Sequence, residues 1–332
     1  MTNPTLVEVL RGGRVESRHA GAIAVVDSAG KRVFALGDIE APVYPRSAIK
    51  GLQALVLMES GAADRYGFNA EELALACASH GGEEGHVATA ARMLARAGLD
   101  GTALKCGAHW PLYQPAAQAL ARSGGTAAPI HNNCSGKHAG FLCAACAMEA
   151  DRASYTEPIH PVQREVRAVL ENLSRAAIPD SARAVDGCSV PTWAMPLANL
   201  ARAFACFAGG QGLSPARAKA AERLRRSCAE KPWHVAGTGR FCTELMTRFG
   251  ARVFVKSGAE GMCCAALPEQ GLGIALKCDD GAGRAAEVMM AATLARLLAT
   301  DEDRASLARF IRVPLRNWNG IAVGELRPTE AL

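Results

Sequence analysis

The chain has 332 residues, 49% hydrophobic and 21% charged, which excludes disorder and allows one large domain or two ordinary ones. Lys+Arg at 37 against Asp+Glu at 32 leaves a net charge of +5, with no basic block and only 5% aromatics. That excludes a nucleic-acid groove built from concentrated cations and stacking rings. No stretch is long and uncharged enough to span a membrane, and MTNPTLVEVLRGGRVE lacks a basic start followed by an apolar run. A cytoplasmic protein is expected, its twelve cysteines reduced and read as core residues, thiolate ligands or nucleophiles.

The first forty residues read as strands. LVEVLRG, a Gly12-Gly13 turn, RVESRH, AGAIAVVD, a Ser28-Ala29-Gly30 turn and RVFALGD make an antiparallel meander. From about residue 45 to 236 the reading is mainly helical, with helices over 47–60, 86–97, 115–122, 137–151, 161–173 and 215–228, and a strand-like LALACA (73–78) among them. Strands return in ARVFVKSG, GMCCAALP and LGIALKCD, followed by a helix over 284–298 and a last short strand at GIAVGEL. Strands at both ends of a helical middle predict an α+β fold in which one antiparallel sheet, drawn from about 5–38 and 251–326, carries helices on its faces. With no internal repeat and no Pro-, Gly- or Ser-rich linker, residues 1–332 are expected to be a single domain.

Only eight of the cations are lysines, so a Lys inside a motif carries information: it can lose its proton when desolvated, and Arg cannot. In Tyr44-Pro45-Arg46-Ser47-Ala48-Ile49-Lys50, Pro45 suits a helix start, and Ser47 and Lys50, three apart, share a face. A neutral Lys50 would then serve as base for the Ser47 hydroxyl. The plain alternative is a helix start with a solvated lysine. Lys256-Ser257-Gly258, ending the strand ARVFV, follows about two hundred residues later, which is the order of S-x-x-K and K-T-G in serine β-lactamases. Ser79, in Ser79-His80-Gly81-Gly82, supplies a middle serine without matching S-D-N.

The strongest local signal is His131-Asn132-Asn133-Cys134-Ser135-Gly136-Lys137-His138, a tight loop before an apolar helix. It carries a thiol, an amine and an imidazole within five residues. Asp186-Gly187-Cys188-Ser189-Val190-Pro191 adds a carboxylate and a second thiol. Two thiolates and a nitrogen suit zinc, whereas the plain alternative is a polar loop with an incidental cysteine. Cys143-x-x-Cys146 lies in an apolar helix and reads as core; the GGEEGH run reads as a capped helix start; Cys242, at a helix start, reads as either reactive or buried and inert.

Taken in order, YPRSAIKGLQ, ASHGGE, HNNCSGKHAGFL, DGCSVPTWAMPL and VFVKSGAEG resemble the rhizobial-type, or class 3, L-asparaginases from about residue 5 to 325. The resemblance implies a fold similar to serine β-lactamases and penicillin-binding proteins, and hydrolysis of L-asparagine to L-aspartate and ammonia. It implies two Ser–Lys pairs, Ser47 with Lys50 and Ser79 with Lys256, with the choice of attacking serine left open. A metal, usually zinc, falls on Cys134, Lys137 and Cys188, aiding substrate binding rather than the chemistry. Asp186, His138 and Cys242 lie beside it, and Asp186 and Arg46 are candidates for the substrate's ammonium and carboxylate. A homodimer is also implied, acting on a small molecule, with no nucleic-acid or membrane partner expected. Two other readings fit parts of the motif set: a penicillin-recognising serine hydrolase, and a zinc-binding or thiol-sensing protein without catalysis.

Overall fold

The structure, a computed structural model, describes residues 2–298 and 300–332. The two apolar ends of the chain meet in one eight-stranded antiparallel sheet. At its centre is the strand Arg14–Asp27, fourteen residues long, where the sequence suggested two successive strands. Its first half pairs with Thr5–Arg11, and its second half with Leu272–Cys278 on one edge and Arg32–Leu36 on the other. Beyond Leu272–Cys278 come Met262–Leu267 and then Phe254–Ser257, while Ala322–Pro328 and Val313–Arg316 extend the sheet past Thr5–Arg11.

Every residue of Met262–Leu267 is buried, so both faces of that part of the sheet are covered. The helix Leu197–Gly209, apolar nearly all round, lies on one face. Its approach is so close that a Cβ on Gly273 would stand 2.0 Å from the Ala201 carbonyl oxygen. Gly283–Leu297 packs on the opposite face, with Asp301–Ile311 against it. Among the described residues no helix is long and apolar enough to cross a membrane.

The helices expected from periodicity form as Glu84–Arg96, Gln114–Arg122, Ser135–Ala147, Pro161–Ser174 and Pro215–Glu230. Three further readings change. LALACA is not a strand but the second half of the helix Ala70–Ala76 and its end. Asn69 accepts the Glu71 and Glu72 N–H groups at 2.8 and 3.4 Å, and Glu72 accepts the Asn69 N–H at 2.9 Å, a capping box that a six-residue apolar window cannot reveal. The expected helix over 47–60 opens instead as a 3-10 turn, Arg46–Ile49, and continues as Lys50–Gln53 and Leu55–Glu59, interrupted at Ala54. Helix also runs past residue 236, into Phe241–Phe249.

Candidate active site

The site forms where the sheet edge Phe254–Ser257 meets the helical part of the chain, and three buried lysines mark it. Lys50, Lys137 and Lys256 expose 0%, 2% and 1% of their surface, against a strong general preference of lysine for water. Burial of an ammonium is tolerated only with partners, and each of the three has them.

Lys50 and Lys256 converge on one hydroxyl. Lys50 Nζ and Lys256 Nζ each lie 2.9 Å from Ser79 Oγ. Lys50 also donates to the carbonyl of Ala78 at 2.5 Å and contacts Cys134 Sγ at 3.0 Å, and Lys256 donates to the carbonyl of Ser257 at 2.6 Å. Ser79 is fixed by its backbone: its N–H donates to Val235 at 2.9 Å, and the next N–H, of His80, to Asn133 at 3.2 Å. Burial pulls the Lys256 amine down and Cys242 opposes it, but the Lys50 charge adds to burial, and the result is about 8. The expected pair of Ser79 with Lys256 is therefore present. The expected pair of Ser47 with Lys50 is not a hydrogen bond here, because the Lys50 side chain runs inward to Ser79.

Ser47 is placed differently. It sits half-buried in the 3-10 turn, directly after Arg46, whose φ of +51° puts a bulky residue in the left-handed region. Such a conformation costs roughly 1–3 kcal/mol and persists only where the surroundings enforce it. Here the Arg46 side chain is held by Asp186, Nε to Oδ1 at 2.5 Å. The turn is also closed by the KSG segment, since a Cβ on Gly258 would lie 3.0 Å from the Ala48 nitrogen. A serine hydroxyl on a strained turn is a favourable place for a nucleophile. The Ala48 N–H is bonded to the Pro45 carbonyl at 3.1 Å, so it is not free to hold an oxyanion.

The thiol pocket adjoins Lys50. Asn132 shapes its loop, accepting the Cys134 N–H at 2.8 Å and donating to the carbonyls of Cys106 and Gly107. Cys134 caps the helix Ser135–Ala147, where free N–H groups favour a thiolate. Cys188 rides the tip of the hairpin joining Arg183–Val185 to Pro191–Trp193 and lies 2.9 Å from Lys137 Nζ and 3.6 Å from Asp186 Oδ2. The hydrogen bond from Cys188 and the charges of Lys50 and Lys137 overcome burial and hold Cys134 well below the usual thiol range, while its bond to Cys134 and burial push Cys188 up. Cys134 is thus the sulfur that ionises more readily. Burial would lower Lys137, but the two sulfurs outweigh it and keep the amine charged. Two sulfurs and an amine gathered on one point fit zinc, which would enter by displacing the protons of Cys188 and Lys137.

His138 is fully buried, and Tyr155 Oη lies 2.7 Å from its Nδ1. Since that oxygen already accepts the Lys105 N–H, the phenol proton goes to Nδ1, leaving Nε2–H as a buried donor without a protein partner among the described residues. Burial and the charges of Lys137 and Lys50 keep the ring neutral. Cys242 Sγ accepts the Ser257 N–H at 3.2 Å and lies 3.3 Å from Ser257 Oγ, so it braces the KSG strand. Burial pushes Asp186 up, but Lys137 and Arg46 outweigh it and the carboxylate stays ionised. The structure thus gathers Ser79, Lys50, Lys256, Cys134, Lys137 and Cys188, with Arg46, Asp186 and Cys242 as neighbours in contact. Sequence reasoning missed Tyr155, which lies in no motif, and the role of Asn133, whose Oδ1 lies 3.2 Å from Cys134 Sγ.

A model of the family described as L-asparaginase II matches residues 7–328 of the chain. No curated relative matches it. Among solved structures, a β-lactamase from Mycobacterium bovis is 14% identical with a TM-score of 0.39, covering 80% of this chain and 88% of its own. A putative β-lactamase from Bacteroides dorei is 15% identical at 0.41, covering 78% and 84%. A protein called Mglu, in its native form, is 15% identical at 0.38, covering 90% and 70%.

Proposed function

We propose that this chain, which belongs to the L-asparaginase II family, hydrolyses L-asparagine to L-aspartate and ammonia through an acyl-enzyme on Ser47. The observation that carries the reading is the Ser79 hydroxyl held 2.9 Å from the amines of both Lys50 and Lys256. A hydroxyl between two amines passes a proton from one to the other without moving. Ser47 Oγ attacks the side-chain amide carbon, and the proton it gives up enters the Lys50–Ser79–Lys256 chain, whose Lys256 end is free base above about pH 8. The same chain returns a proton to the leaving nitrogen, so the C–N bond breaks and ammonia departs. Water then attacks the ester, gives its proton to the chain, and releases aspartate with the Ser47 hydroxyl restored.

Asp186, ionised and paired with Arg46, is the partner for the substrate's ammonium. Cys134, Lys137 and Cys188 would hold a zinc ion, which when bound supplies a Lewis acid that anchors the substrate. Removal of zinc by a chelator is therefore expected to raise KM for asparagine far more than it lowers kcat; an equal fall in kcat with KM unchanged would contradict an anchoring role. The reaction class is tested by ammonia release from L-asparagine by the purified protein, beside L-glutamine and the penicillin analogue nitrocefin. Ammonia from asparagine is expected. Turnover of nitrocefin alone would favour a penicillin-recognising hydrolase, and no turnover of any substrate, zinc supplied, would favour a zinc or thiol sensor.

A further inference from the structure

A second group of metal-type donors lies away from the lysines, at the seam where the strand Arg14–Asp27 changes partners. His19 faces Val7 beside an irregularity in the pairing with Thr5–Arg11, and such a bulge re-aims a side chain. Two residues further on, Gly21 pairs with Cys278, the last residue of the strand Leu272–Cys278. The loop after Cys278 folds back at once: the Asp279 N–H donates to Ala20 at 2.9 Å, and the Ala282 N–H to Asp280 Oδ1 at 3.0 Å. Three side chains meet as a result. His19 Nδ1 lies 2.6 Å from Asp280 Oδ2, and Cys278 Sγ lies 3.0 Å from Asp280 Oδ1. One nitrogen, one sulfur and one carboxylate oxygen thus fall within 4.8 Å of one another.

We propose that His19, Cys278 and Asp280 form a structural site for a thiophilic divalent cation, of which zinc is the type. The donor set is mixed in the way zinc accepts, and its two anionic members, thiolate and carboxylate, balance the charge of one divalent ion. The placement is rigid on two sides, since His19 is 5% exposed and Cys278 0%, both on paired strands. It is open on the third, because the Asp280 side chain keeps 48% of its surface and gives an ion a way in. Nε2 of His19 is buried without a protein partner among the described residues, so the ring's polar contact with the protein is through Nδ1, on the Asp280 side. On binding, the Cys278 proton leaves to solvent and the ring proton moves from Nδ1 to Nε2, freeing both lone pairs for the ion. The ion would tie the strand Arg14–Asp27 to the end of the strand Leu272–Cys278 at the seam. This inference does not rest on the proposed activity.

The test is a count of cobalt(II) bound by the intact chain, with cobalt standing in for zinc and its thiolate absorption reporting sulfur ligation. Wild type is expected to bind one equivalent more than either Cys278→Ser or Asp280→Asn, whatever the Cys134–Cys188 pocket takes up. Asp280→Asn changes a half-exposed side chain and keeps the count readable if the buried Cys278→Ser fails to fold. Zinc is also expected to raise the thermal midpoint of wild type more than that of Asp280→Asn. Equal cobalt counts in wild type and folded Asp280→Asn would overturn the proposal and leave the three residues as a hydrogen-bonded staple.

Discussion

At the scale of single residues, the proposed chemistry turns on Lys256. Its amine is buried and brought to about 8, so near neutral pH it is mostly charged in a place that disfavours charge. We predict that kcat/KM rises with pH through a single ionisation near 8, and that Lys256→Arg, which cannot deprotonate, abolishes it. A rate that is flat across that range would remove Lys256 as the base. The same shift sets a stability term. The ordinary lysine value is 10.5 and the folded value is lower, so between about pH 8 and 10.5 the unfolded chain binds more protons and stability rises with pH. Below pH 8 the buried charge costs about 3 kcal/mol, at 1.36 kcal/mol per pKa unit. Lys256→Met is accordingly expected to be inactive yet more stable than wild type in urea unfolding at pH 7, with the advantage shrinking by pH 10. A variant less stable at pH 7 would show that the Lys256 contacts outweigh its desolvation. Lys256 was legible because it ends an apolar strand in a chain with few lysines. The inward run of Lys50 was not, because spacing places a Cα on a face and says nothing of where a four-carbon side chain ends.

Elements fix these side chains through close backbone approach. Gly136, in the first turn of the helix Ser135–Ala147, which Cys134 caps and which carries Lys137, stands where a Cβ would meet the Leu75 carbonyl oxygen at 2.4 Å. The helices Ala70–Ala76 and Ser135–Ala147 therefore touch at the backbone, and that contact sets the Ser79 loop against the thiol pocket. A backbone oxygen cannot swing aside as a side chain can. Gly136→Ala is expected to cost roughly 1–3 kcal/mol of stability by overpacking, with a loss of activity larger than that. Denaturant unfolding with parallel kinetics measures both, and unchanged values would show that the two helices can part without consequence. Most helices here were legible from periodicity and caps, as Pro161–Ser174 and Glu84–Arg96 show. Ala70–Ala76 was misread because Leu73, Leu75 and Cys77 alternate with alanines, which suits either period, and the deciding hydrogen bonds come from Asn69 and Glu72 outside the apolar run.

The whole molecule is a device for bringing distant parts of the chain together. Ser79 meets Lys256 across 177 residues, and Lys137 meets Cys188 across 51. The antiparallel sheet assembled from both ends was predictable, since strands flanking a helical middle leave little other way to bury their apolar faces. The site was legible as a set of motifs but not as a circuit: nothing in S-x-x-K or K-S-G reveals that both lysines share one serine, or that Asp186 braces the strained Arg46. Those contacts exist only after the sheet edge and the helices close on each other. Attack is proposed at Ser47 and proton relay at Ser79, and one measurement separates the two. The protein is acid-quenched during turnover of L-asparagine, digested, and its peptides weighed. We predict an aspartyl ester on the peptide carrying Ser47, absent in Ser47→Ala. An ester on Ser79, or none in a protein that still releases ammonia, would contradict the account.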